Sequence, residues 1–201
     1  MMSLDTAREL FSYICGQSRP FVADGVLLPL AQRCLGLYVG ALLTALWLLG
    51  SGIWRCGLPT RSVFCLNLSL LVAAMLGGLH VVDPGPLWRF AFGLWTGHVV
   101  TLWLSGAAVQ FWQLSRPNVV VGDFRWSLAQ IAQGMAFPAL LAGLAAVLPV
   151  LLPLGWRFWT VAAFSGVIVS AATILLAVLA AVRYAFHTWV SRDQDVKSRR
   201  A

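Results

Sequence analysis

Residues 34–53 read CLGLYVGALLTALWLLGSGI. Twenty positions pass without one charge, and a helix of about 20 mostly apolar residues is what crosses the ~30 Å hydrocarbon core of a bilayer. Four more runs of the same kind follow, at 62–82, 90–112, 134–154 and 160–184. The breaks between them carry the punctuation of loops: WRCGLPTR (54–61), DPGPLWR (83–89), SRPNVVVGDFRW (115–126) and GWRFW (155–159). The chain of 201 residues is 60% hydrophobic and only 10% charged, where a soluble domain carries about 25% charge. So much apolar surface needs a bilayer as solvent. The expected fold class is therefore all-α, a polytopic membrane helix bundle of about five transmembrane helices.

The net charge of +7 does not point to nucleic acid, because the charges are sparse and sit between the apolar runs. They read as topology signals. With five spans, one side of the membrane holds nine basic residues: Arg55, Arg61, Arg116, Arg125, Arg183, Arg192, Lys197, Arg199 and Arg200. The other holds five, Arg8, Arg19, Arg33, Arg89 and Arg157, offset by Asp5, Glu9, Asp24 and Asp83. The positive-inside rule then puts the C-terminus in the cytoplasm and the N-terminus outside. The expected organisation is an extracytoplasmic cap (1–33), a five-helix bundle (34–185) and a basic cytoplasmic tail (186–201), in a bacterial inner membrane.

The first residues lack the basic start and cleavage site of a secretory signal. Thr6-x-x-Glu9 fits a capping box and Gly16 a helix stop, which predicts a short amphipathic helix on the membrane surface or against the bundle. After it come a turn at 17–20 and a re-entry into the first span at 29–34. Gly36-x-x-x-Gly40 and Gly93-x-x-x-Gly97 each set two glycines on one helix face, where backbones can approach closely, and Gly166-x-x-x-Ser170 does so more weakly. Pro138, Pro149 and Pro153 predict a kinked fourth span with an irregular end. Trp54, Trp88, Trp112, Trp156 and Trp159 fall at span ends, as interfacial anchors do.

The order Cys15, Gln17, Arg19, Phe21, Gly25, Pro29, Arg33, Cys34, Gly36, Tyr38 and Gly40 resembles a family of predicted prokaryotic membrane proteins, domain of unknown function 2085. Asp83, Arg89, Gly93 and Gly97 fall as in that family's later pattern. The family's cysteines and histidine would make a soft tetrahedral metal set. Here Gly16 and Ala31 replace two of the four, so no metal site is expected. The resemblance implies a fold and brings no established activity.

What chemistry remains is thin. Arg19, Arg33, Asp83 and Arg89 converge on the outer side, either as ion pairs tying the cap to the bundle or as a basic pocket for an anionic headgroup or substrate. Cys15 and Cys34 would face an oxidising compartment, where they form a disulfide or remain thiols. Cys56 and Cys65 read as apolar fillers. His80 and His98 lie in the outer halves of two spans, but His98 sits roughly 9 Å deeper, so a shared haem or pigment is disfavoured against a histidine bonded to a neighbouring helix. There is no nucleophile motif, carboxylate pair or phosphate loop, and no acidic residue in a span core. The expected function is a non-catalytic accessory or scaffold subunit, with the bilayer and other membrane proteins or a second copy as partners. The alternatives are a membrane enzyme or lipid-binding protein using the arginine cluster, or a haem- or pigment-bearing subunit.

Overall fold

The computed structural model describes residues 6, 8, 9, 11, 19–23, 25–78, 85–115 and 126–198, with the backbone alone for 55, 77, 78 and 191–198. Its elements in chain order are strands β1 (Pro20–Ala23) and β2 (Val26–Ala31), then helices α1 (Gln32–Ser51), α2 (Arg61–Gly78), α3 (Pro86–Leu114), α4 (Leu128–Leu151) and α5 (Trp156–Ser198). Short 3-10 turns follow α1 at Ile53–Cys56 and α4 at Leu152–Leu154. Among the described residues, four helices are long and apolar enough to cross a membrane, and the apolar part of α2, Arg61–Leu76, is shorter. The end of the second expected span, 79–82, lies outside the described residues.

The all-α expectation needs one correction. Residues 20–31 form an antiparallel hairpin, with Ala23 opposite Val26 and Val22 opposite Leu27. Alternating burial explains it: Phe21 and Ala23 point into the bundle while Val22 between them is exposed, and Leu28 and Leu30 are buried while Leu27 is exposed. That is the period of a half-buried strand. In sequence the two strands are separated by Asp24-Gly25, the dipeptide that favours the tightest hairpin turns, and Gly25 takes φ 73°. Pro29 is tolerated because a two-stranded ribbon leaves each strand an unpaired edge. Residues 6, 8, 9 and 11 are helical, Arg8 donates a guanidinium hydrogen bond to the Leu27 carbonyl (3.3 Å), and Phe11 is fully buried. Of the two placements open to the N-terminal helix, packing against the bundle is the one observed.

The helix ends also have local causes. Ser127 opens α4 with a reciprocal capping box: its hydroxyl accepts from the Gln130 N–H (3.3 Å), and the Gln130 side-chain oxygen accepts from the Ser127 N–H (2.8 Å). The helix therefore starts six residues before the apolar run at Gly134. Its far end tightens into the 3-10 turn around Pro153, where irregularity was expected. Between Trp156 and Ser198 there is no proline and one glycine, Gly166, and α5 runs unbroken for 43 residues.

The directions of the helices follow from their contacts. Gly36 of α1 lies on Phe90 and Gly93 of α3, and Gly40 lies on Leu94 of α3. Phe90 packs edge-on against Trp159 of α5 (6.4 Å), while Phe111 meets Tyr184 (5.5 Å). Helices α1, α3 and α5 therefore run parallel. Phe64, near the start of α2, stacks on Trp103 far along α3, so α2 begins at the end of the bundle opposite the hairpin. Helix α4 runs the other way, from Trp126 beside Val63 and Leu102 to Leu148 in the cluster of Phe21, Phe90 and Trp159. That larger cluster lies under the hairpin, and the smaller one, with Leu48 and Ile53, closes the opposite end. Trp54, Trp88 and Trp112 are exposed. Trp159 is not an anchor as expected: it is buried, because Phe90 and the hairpin cover that end of α5.

Candidate functional site

Two places hold the polar groups singled out by the sequence. The first is the hairpin end. There the organising residue is Gln32, which sequence reasoning passed over. Its backbone N–H donates to the Arg19 carbonyl (3.1 Å), and its side-chain oxygen accepts from the Arg89 guanidinium (3.0 Å). Its side-chain nitrogen reaches the Pro20 carbonyl at 3.5 Å. One nearly buried amide thus joins the hairpin, the start of α1 and the start of α3. An amide does this because it is donor and acceptor at once. The available signal was a lone glutamine beside Arg33, at the junction of hairpin and span.

Arg19, Arg33 and Arg89 are brought to this same end, Arg33 through its carbonyl, which lies against Gly93. Arg19 is exposed, and Arg33 and Arg89 are half-buried. Asp83, Cys15 and His80 lie outside the described residues, and with them the proposed ion pair, the Cys15–Cys34 bond and the histidine pair. Cys34 is half-buried against the hairpin-end cluster. Cys56 accepts a hydrogen bond from the Gln130 amide (3.3 Å), and Cys65 is exposed.

The second place is the middle of the bundle. His98 of α3 is completely buried, and its Nδ1 lies 3.1 Å from the Thr44 hydroxyl of α1. Thr44 has one hydroxyl proton and donates it to the Gly40 carbonyl (2.7 Å). It can then only accept from His98, so Nδ1 carries the ring proton and Nε2 is a lone pair. Nε2 is buried without a hydrogen-bond partner among the described residues. Trp47 (6.0 Å) and Phe137 (5.1 Å) flank the ring and stack on each other at 4.6 Å. Trp95 adds a further tie, donating its indole N–H to the Pro138 carbonyl of α4 (3.1 Å).

This arrangement carries its own prediction. Thr44→Val leaves the His98 Nδ1–H without an acceptor and should cost about 1–3 kcal/mol, whereas pairing it with His98→Leu should recover most of that loss. Thermal unfolding of the two single variants and the double variant in mild detergent measures the coupling. Additive losses would mean that the hydrogen bond contributes nothing.

Gly36, Gly40, Gly93 and Gly97 meet in one contact. A Cβ on Gly97 would fall on the Leu37 carbonyl, and one on Gly93 on the Arg33 carbonyl. Gly166 brings α5 onto the Tyr38 backbone in the same way. Small residues at these points let three backbones touch.

Long apolar helices packed through glycine, under an amphipathic hairpin, define a helical membrane protein. Residues 15–103 match the family described as predicted membrane protein, domain of unknown function 2085, to which the sequence is similar at Cys15–Gly40 and Asp83–Gly97. The matched segment contains the hairpin, α1, α2 and the part of α3 bearing Gln32's partner and His98. No curated protein and no solved structure matches the chain.

Proposed function

We infer that the chain is a non-catalytic integral membrane protein, an accessory or scaffold subunit that crosses the membrane five times with its N-terminus outside. The observation that carries this reading is α5. Its 43 residues rise about 64 Å, against about 40–45 Å for a bilayer with its headgroups. The apolar part of α5 ends at Val190. The helical residues beyond it include Arg192, Asp193, Asp195 and Lys197, a polar rod suited to a protein partner in water. The glycine faces argue less for a partner than their sequence suggested, since α1, α3 and α5 use them on one another. The excess of basic residues near the end of α5 favours a cytoplasmic location for the rod, and a bacterial inner membrane is the natural setting.

Native mass spectrometry of full-length protein in mild detergent tests the reading, beside a variant ending at Val190. The expected result is a partner subunit or second copy bound to the full chain and lost from the truncated one. Trypsin should cut after Lys197 only in inside-out vesicles. A strictly monomeric full-length protein sinks the scaffold reading, and cleavage in right-side-out vesicles reverses the orientation.

A pigment-bearing subunit is the second reading, and the Nε2 lone pair of His98 is what favours it. A visible absorption band of the purified protein that vanishes in His98→Leu would establish it. The reading as an enzyme or outer lipid site is weakened by the Gln32–Arg89 bond, which gives one of its arginines a structural task.

A further inference from the structure

An apolar groove of about 680 Å³ runs between α1, α3 and α5, at the end of the bundle opposite the hairpin. Small side chains make it: Ala45 of α1, Ala108 of α3 and Ala172 of α5 all line it. On α5 its lining extends from Val169 to Ala180, a rise of about 16 Å, close to half of the ~30 Å hydrocarbon core. The groove is therefore as deep as one leaflet. Trp54 and Trp112 line it where α1 and α3 end, and the Arg183 guanidinium lies 4.2 Å over the Trp112 ring. Indoles at this level mark the headgroup boundary, and a guanidinium stacked on one keeps its edge donors for a phosphate. Exposed Arg61, at the start of α2, adds positive charge at the same end.

The geometry points to an anionic phospholipid as the occupant, with one acyl chain along the groove and its phosphate on Arg183. A volume of 680 Å³ lies within the usual range for a small-molecule site. This site is at the other end of the molecule from the arginines singled out by the sequence, and it does not depend on the scaffold reading.

Full-length protein in mild detergent is mixed with equal dioleoyl phosphatidylglycerol and dioleoyl phosphatidylcholine, and bound lipid is counted by native mass spectrometry. The expected preference for phosphatidylglycerol is about tenfold, the worth of one charge-assisted bond. Arg183→Gln should bring the preference near unity while still binding lipid. Ala172→Trp, at an exposed position where bulk does not disturb packing, should lose both lipids. A melting temperature within a few degrees of wild type establishes that each variant is folded. The proposal is overturned by equal retention of the two lipids, by a preference that survives Arg183→Gln, or by lipid still held in Ala172→Trp. It is equally overturned if a photo-crosslinker at position 172 in native membranes captures polypeptide in place of lipid.

Discussion

Gly97→Ala is expected to lose about 3 kcal/mol or more of stability, and Gly97→Leu to yield no folded protein. Overpacking a core costs about 1–3 kcal/mol when neighbouring side chains can yield. Here they cannot, because the added Cβ meets backbone: the Leu37 carbonyl, the Ala41 nitrogen at 2.8 Å and the Leu37 carbonyl carbon at 2.9 Å. Relief requires α1 and α3 to separate, which also pulls Thr44 from His98. Gly143→Ala is the matched control. It occupies an exposed position of α4 with nothing within 4 Å, so the helix-propensity gain of at most about 1 kcal/mol should make it neutral or slightly stabilising. Thermal unfolding of fluorescent-tagged protein in mild detergent compares the two. If Gly97→Ala and Gly143→Ala melt together, α1 and α3 do not pack as described.

Gln32→Leu should cost about 1.5–3 kcal/mol despite its similar volume, because the bond removed has a charged partner. The Arg89 guanidinium loses its amide acceptor, and the hairpin loses one of its links to α1. Gln32→Glu keeps an acceptor and makes the bond to Arg89 charge-assisted, so it should recover most of the loss. The position of damage separates this from general destabilisation. Limited proteolysis should cut first within 20–31 in Gln32→Leu, while the helices stay protected. Wild-type melting and an intact hairpin in Gln32→Leu would remove Gln32 from its place as the joint.

The helices could be read because their cause is local in sequence. A run such as 34–53 has no polar group to satisfy in water and no charge to keep it out of lipid, so its length alone fixes its state. Gly36, Gly40, Gly93 and Gly97 were equally visible as faces, for the helical repeat sets them four residues apart. Their partner was not visible. Periodicity gives a face and never says what covers it, and the four glycines face each other within one chain.

The hairpin was missed for a different reason. The stretch before the first span was read as a turn at 17–20 and a re-entry at 29–34, although Asp24-Gly25 between alternating apolar residues signals a turn between strands. That alternation becomes informative once the bundle end exists to bury Phe21, Leu28 and Leu30. The sequence by itself determined the solvent, the helical class and the small faces through which helices meet, because each depends on neighbours a few residues away. Only the tertiary structure decided that Gln32 meets Arg89, that Thr44 orients His98 and that Trp159 is buried. It alone formed a leaflet-deep groove beside Arg183. Each of these depends on residues between 50 and 135 positions apart, brought together because α1, α3 and α5 run parallel.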